Sequence, residues 1–305
     1  MKIDVIQKLK NRKTSFDFTA TSTDDMIILD EKKLKNLQSE LLSIYQDILQ
    51  MCQKYKITPF LVGGSALGAV RHQGFIPWDD DLDLGMTRRD YLIFRKYFRT
   101  ELGEKYILNA PNYSRKPKAR FPKVMKKGTI CRSVDDYSSP KNCGVFVDIF
   151  IIENIPQNSV KRLVKGLFCN GLEFIAGQVA IMEHYDKNAK LRLDKEGKLV
   201  SLIRRTTGTV FGIVPSENWY NGIDKAVRYY KNSSYVGLPT GRKHYFGESL
   251  QREVCFPPRF MIFCGIQVPV FNKVEKYLVN LYGDDYMELP PVDKRENHMY
   301  IELDF

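Results

Sequence analysis

The 305-residue chain contains no run of 18 or more uninterrupted apolar residues, so no transmembrane helix is expected. It has no CxxC pair. Its six cysteines (Cys52, Cys131, Cys143, Cys169, Cys255 and Cys264) are scattered, which supports neither a disulfide framework nor a zinc finger and fits a reducing cytoplasm. Histidine is scarce, four in all, and none sits in an HExxH-like arrangement, so there is no zinc-enzyme signal. The opening Met1-Lys2-Ile3-Asp4-Val5 lacks the charged-then-apolar layout of a signal peptide. The expected location is therefore cytoplasmic, with the inner face of the plasma membrane as an available surface. Internal repeats, low-complexity tracts and RRM, KH or helix-turn-helix signatures are also missing, so nucleic acid is not an expected partner.

What is present is an ordinary globular composition, 43% hydrophobic and 27% charged, enough for one large domain or a core with a lobe. The net charge of +11 implies an affinity for anions: nucleic acid, an anionic membrane surface or phosphorylated substrates. Basic residues gather in Arg115-Lys116-Pro117-Lys118-Ala119-Arg120, with Lys123, Lys126 and Lys127 following, and again at Arg204-Arg205. A solvated loop accounts for the first group as well as a binding patch does. Lys123 is different, because it sits inside the apolar run Phe121 to Met125, a strand-like context.

Four aspartates fall within five residues, in Pro77-Trp78-Asp79-Asp80-Asp81-Leu82-Asp83-Leu84-Gly85. So many adjacent anions must be solvated or neutralised. In Asp81-Leu82-Asp83-Leu84 acids alternate with leucines, the period of a half-buried strand. Asp81 and Asp83 would then leave one face, about 7 Å apart, while the leucines enter the core. Paired carboxylates of that kind suit a divalent cation with a taste for hard oxygen; an acidic turn is the alternative. Asp80 lies outside the alternation and is expected to face solvent, and Asp79 to orient the strand or support the metal through water.

Upstream, Thr58-Pro59-Phe60-Leu61-Val62-Gly63-Gly64-Ser65-Ala66-Leu67 reads as a short apolar strand, a glycine pair and a helix start. Gly63 and Gly64 permit a sharp turn and close backbone approach to a ligand. Ser65 suits an N-cap, which would aim a helix N-terminus at phosphate oxygens. Strand, GGS turn, helix and acidic strand within roughly 25 residues match the order of the nucleotidyltransferase fold of polymerase-β-like enzymes.

The string from Gly64 to Asp83 resembles the LicD family, whose best-known members are bacterial phosphocholine transferases and which includes the fukutin-type transferases. Phe121-Pro122-Lys123-Val124, Gly144-Val145-Phe146-Val147-Asp148-Ile149-Phe150 and the tail Tyr282-Gly283-Asp284-Asp285-Tyr286-Met287 through Leu289-Pro290-Pro291 to Lys294-Arg295 agree with it. The resemblance implies an α+β nucleotidyltransferase fold, a mixed sheet flanked by helices, with a mainly helical C-terminal region. It implies Asp81, Asp83 and Asp148 as catalytic metal ligands for Mg²⁺, with Mn²⁺ as a substitute. Gly63, Gly64 and Ser65 would hold the donor phosphates, with Arg71 and Lys123 as cationic clamps. For Arg71 a structural ion pair is an equal alternative, and for Trp78 base stacking and strand-entry packing stand level. The implied reaction moves phosphocholine from a CDP-choline-like donor to a sugar hydroxyl of a cell-wall, teichoic-acid or capsular glycan, free or lipid-linked. Nucleotidyl, glycerol-phosphate or ribitol-phosphate transfer on the same fold is the alternative.

Independently of the family, Asp148 is an isolated acid among Phe, Val and Ile, costly to bury unless it faces a cation or a strong donor. The chain divides into a loosely held N-terminal extension (1–30), a catalytic core (31–155) and a C-terminal region (156–305). Apolar spacing predicts helices over 31–56, 87–100 (capped by Thr87) and 272–281. Val160 to Ile181 is a further apolar helix with Lys161, Arg162 and Lys165 at its front. It reads either as the core of a C-terminal lobe or as an interfacial helix on a membrane.

Overall fold

The computed structural model describes residues 27, 29–133, 140–184, 198–292, 295, 298 and 300–305. Most of the expected N-terminal extension, and Lys294, lie outside the described residues. Apolar residues every three to four positions produce α1 (Glu31–Lys54), capped by Asp30, whose side chain accepts from the Lys33 amide. Its buried stripe, including Leu37, Leu41, Ile44 and Ile48, lies against the sheet. The chain then runs through β1 (Phe60–Leu61), α2 (Gly63–Arg71), β2 (Asp83–Thr87) and α3 (Arg88–Glu101). Thr87 caps α3 as expected, its hydroxyl accepting from Asp90 N at 3.1 Å. Next come β3 (Tyr106–Asn109), β4 (Lys123–Lys126), β5 (Ile130–Ser133) and the long β6 (Phe146–Ile155).

These strands form a mixed sheet in the order β1-β2-β6-β4-β3. The β2–β6 pair is parallel and its other neighbours are antiparallel. Beyond Ile152 the end of β6 leaves β2 and pairs instead with β7 (Tyr235–Gly237), which pairs with β8 (Ser249–Gln251).

After β6 the chain builds α4 (Ser159–Glu183), α5 (Lys198–Phe211) and α6 (Ser216–Val227). Further elements are β9 (Arg259–Phe263), β10 (Ile266–Val270), α7 (Val274–Tyr282) and β11 (Tyr300–Asp304), which pairs with β5. The C-terminal region is thus less uniformly helical than expected. Strands of three to five residues carry too few repeats for a period to show. α4 and α6 share a small cluster around Cys169, Ala176 and Ile223. Val236, Val254, Phe263, Phe271 and Leu278 instead return to the main core beside β1 and β2. None of the six cysteines, all among the described residues, is in a disulfide. Among the described residues no helix is long and apolar enough to cross a membrane.

Candidate active site

Strand register assembles the centre of the site. Asp83 on β2 lies directly opposite Asp148 on β6, and Asp148 lies opposite Lys123 on β4. Three adjacent strands therefore place carboxylate, carboxylate and ammonium in one row. Lys123 Nζ donates to both Asp148 oxygens, at 2.8 and 3.1 Å. The alternation around Asp83 holds, with Leu82 and Leu84 fully buried. Regular strand geometry begins at Asp83 rather than Asp81, although the Leu82 carbonyl already accepts from Asp148 N at 3.0 Å.

All three expected ligands are held above the ordinary carboxylate range. Burial is the main cause for Asp81, reinforced by Asp80 and Asp148 and opposed by His298 and Lys123, and its pKa rises to about 6. Asp83 is raised well above its ordinary value by burial, then by the charges of Asp81, Asp148 and Asp79. Asp148 is raised by burial, with Lys123 pulling the other way. The cluster is short of positive charge. Among the described residues no three His, Cys, Asp or Glu side chains are disposed to hold an ion as they stand. The ammonium of Lys123 already occupies both oxygens of Asp148. The donor set is nonetheless hard-oxygen throughout, and mutually repelling buried carboxylates are the chemistry that a divalent cation relieves.

The glycine turn faces these acids. Gly63 sits at φ +55°, and a Cβ there would come within 2.8 Å of Asp83 Oδ2; a Cβ on Gly64 would come within 2.9 Å of Asp79 Oδ2. α2 begins at Gly63 with Val62 as its N-cap, so Ser65 is not the cap that its sequence position suggested. The glycine freed to take a positive φ lets the helix start three residues earlier, which puts Ser65 in the first turn. Its hydroxyl instead accepts from Asp83 N at 2.9 Å, tying α2 to the acidic strand. Gly63 N donates to the buried hydroxyl of Tyr277 on α7 at 3.0 Å. The amides of Gly64 and Ser65 remain as first-turn donors of α2.

Asp80 departs from expectation. It is buried, and it accepts from His298 N at 3.1 Å and from His298 Nδ1 at 2.6 Å. The segment leading into β11 folds back over the acidic turn, which no local pattern around Asp80 encodes. Burial alone would lower the His298 pKa; the hydrogen bond and charge of Asp80, joined by Asp81, outweigh it and raise it to about 10. His298 thus adds a cation beside Asp81 and Asp148 that sequence reasoning missed. Its one available signal was the clustering of four acids within five residues.

Arg71 Nη1 donates to the carbonyls of Tyr286 and Glu288 at 2.8 and 3.0 Å, pinning the Tyr-Gly-Asp-Asp-Tyr turn to α2. Trp78 carries the Arg295 guanidinium 4.2 Å from its ring centroid. Gln38 on α1 holds the acidic turn by donating to the Asp79 carbonyl at 2.8 Å. A further group flanks the row. Arg120 opposes the upward shift of Asp148 and stands 3.8 Å from Glu173 of α4, which also meets His244 Nδ1 at 2.5 Å. Glu248, raised by burial to about 7, receives the Lys243 amide under Gly241. Apart from Arg120, these residues lie where motif reading had nothing to hold on to.

This sheet, turn and acid row coincide with a recognised domain. Residues 56–165 match the family model described as LicD/FKTN/FKRP, nucleotidyltransferase domain. The lipopolysaccharide cholinephosphotransferase LicD of Haemophilus influenzae is 27% identical over 278 residues, covering 87% of this chain and 95% of that protein. Two uncharacterised Rickettsia proteins match shorter stretches: one from R. typhi, 40% identical over 21% of this chain, and one from R. prowazekii, 44% identical over 19%. Residues 56–165 thus carry a domain similar to the LicD/FKTN/FKRP nucleotidyltransferase domain, and the chain resembles the Haemophilus protein along most of its length.

Proposed function

We propose that this protein is a LicD-type phosphotransferase that moves phosphocholine from a CDP-choline-like donor to a sugar hydroxyl of a glycan. The observation that carries the reading is the Lys123–Asp148–Asp83 row facing the Gly63-Gly64 turn. It lies in a chain alignable along nearly the whole of a cholinephosphotransferase. That relative is named for lipopolysaccharide; a teichoic-acid or capsular glycan is the acceptor we infer as an equal candidate here. The acidic residues and the glycine turn support a polymerase-β-like nucleotidyltransferase arrangement of the core.

Asp81, Asp83 and Asp148 would hold Mg²⁺, or Mn²⁺ in its place, with Lys123 turning from Asp148 toward a donor phosphate. A bound cation would supply charge neutralisation on the phosphate oxygens. The amides of Gly64 and Ser65 receive phosphate oxygens, and Arg71 fixes the turn that closes over α2. The acceptor hydroxyl oxygen bonds to the choline-side phosphorus as its bond to the bridging oxygen breaks. CMP departs with that oxygen, and the hydroxyl proton passes to a buried carboxylate or to solvent.

Donor profiling tests this reading. With Mg²⁺, CDP-choline and a glycan acceptor, CMP and choline-labelled glycan should form together, and EDTA should stop both. Turnover of CDP-glycerol or CDP-ribitol in preference to CDP-choline would move the protein to the polyol-phosphate transferases. Release of diphosphate from a nucleoside triphosphate would place it among nucleotidyltransferases.

A further inference from the structure

The two faces of β6 differ. Val147, Ile149 and Ile151 are buried in the main core. The alternate residues Phe146, Asp148 and Phe150 share the opposite face, as the period of a strand requires, and both rings are only half-buried. The Asp83–Asp148–Lys123 row is therefore bordered along β6 by a ring on each side. Phe121, on the approach to β4, brings a third half-buried ring, its centroid 4.6 Å from that of Phe150. Cations rest on these rings. The Lys123 ammonium lies 3.6 Å from the Phe146 centroid and 5.2 Å from that of Phe121, while it donates to Asp148. The Arg120 guanidinium lies 5.7 Å from the Phe121 centroid. A ring face attracts a cation within about 6 Å. Packing alone is met by aliphatic side chains on the buried face of the same strand, and ring faces turned toward ammonium groups add an attraction that aliphatic ones lack.

A primary and a quaternary ammonium suit different partners. Lys123 carries three N–H donors, which phosphate oxygens can accept. A trimethylammonium carries none, so hydrogen bonds cannot hold it, whereas aromatic faces can. We propose that Phe121 and Phe146 form the head-group subsite: as Lys123 turns to the donor phosphate, the quaternary ammonium of the donor takes its place on the two rings. The Lys123 ammonium stands in there for the ligand cation. The ethylene link between the ester oxygen and the nitrogen of choline is short, so the head group must sit beside the reacting phosphorus, and these rings adjoin the acid row. Such a subsite rests on the phosphocholine reading and names the residues that select the head group.

Calorimetric titration of the full chain, with Mg²⁺ and no acceptor, tests it. CDP-choline should bind on the order of tenfold more tightly than its neutral isostere, in which a tert-butyl carbon replaces the ammonium nitrogen. Phe146→Leu and Phe121→Leu should each remove most of that preference, leaving affinity for CMP and for the isostere as in the unsubstituted protein. Phe146→Tyr, which keeps a ring face, should retain the preference. Should Phe146→Leu misfold, Phe121→Leu alone carries the test. Equal loss for CDP-choline, the isostere and CMP would assign the rings to the cytosine base or to packing, and would overturn the subsite. An undiminished preference in either folded leucine variant would overturn it too. Both results leave phosphocholine transfer standing. Tighter binding of CDP-glycerol than of CDP-choline by the unsubstituted protein would overturn the transfer reading and the subsite together.

Discussion

Asp83, part-buried, and Asp148, buried, are cross-strand partners, and the charge of Asp148 helps to raise Asp83. Asp83→Asn and Asp148→Asn should each bring turnover below detection. Thermal stability should hold or rise for Asp83→Asn, which removes a repulsive charge, and fall for Asp148→Asn, which takes from Lys123 its carboxylate partner; a folded variant with near wild-type activity would refute the assignment. Asp80 holds a different place. Its role is to fix His298, so Asp80→Asn should strip that imidazole of its carboxylate, cost about 1–3 kcal/mol in stability and reduce turnover less than Asp83→Asn. The pH dependence follows from Asp81, whose pKa near 6 means that protons compete with a cation for its oxygens below that value. At subsaturating Mg²⁺, activity should fall as pH drops through about 6, and more Mg²⁺ should move the fall to lower pH. An inflection insensitive to Mg²⁺ would detach Asp81 from the metal.

Among elements, the start of α2 is held from two sides. Ser65 ties its first turn to β2, and Tyr277 on α7, 214 residues away in sequence, accepts from Gly63 N. Tyr277→Phe should leave that part-buried amide unpartnered, at about 1–3 kcal/mol, and raise donor KM more than it lowers kcat. Equal losses in kcat and kcat/KM would mean that the hydroxyl serves the transition state instead. Gly64→Val should also raise donor KM, since its side chain meets Asp79. The helical lobe hangs on another buried junction. Arg88 at the start of α3 donates to Glu153 of β6 at 2.8 Å and pairs with Asp224 of α6 at 2.9 Å. Arg88→Gln would strand the buried carboxylate of Glu153, while Asp224 keeps Arg228 and Asn112, and a loss of about 3–5 kcal/mol is expected in denaturant melts. A loss under about 1 kcal/mol would show that the junction relaxes around water.

At the scale of the whole molecule, charge sets how stability should vary with pH. The folded pKa of Asp81 lies above its unfolded value, so its share of stability is present below about 4 and declines as pH rises toward about 6. His298 acts oppositely in origin but in the same direction: its contribution is complete below about 6.5 and is lost as pH rises through about 10. Without divalent cation the melting temperature should therefore be lower at pH 7 than at pH 5. Mg²⁺ should raise it more at pH 7, since ligand bound only by the folded state stabilises it. Equal Mg²⁺ effects at both values would argue against cation binding at the buried acids.

The acidic strand, the glycine turn, the lone Asp148 and most long helices were legible from the residues alone. Alternation, positive-φ glycine and three-to-four spacing are local consequences of backbone geometry, and an acid inside an apolar strand reveals itself by cost. Ser65 shows where locality ends: its type suits a cap, but the glycine before it let the helix begin sooner. Asp80 was misplaced for a different reason. Its burial depends on His298, 218 residues later, and a partner brought by chain return leaves no trace in the surrounding sequence. The same holds for Tyr277 on the glycine turn and for Glu173 with His244. Register decided the rest: only pairing β2 parallel to β6, and β6 antiparallel to β4, could put Asp83, Asp148 and Lys123 in one row. Sequence determined which side chains each strand offers to one face; tertiary structure determined which of those faces meet, because contacts across the sheet are chosen by the packing of the whole core.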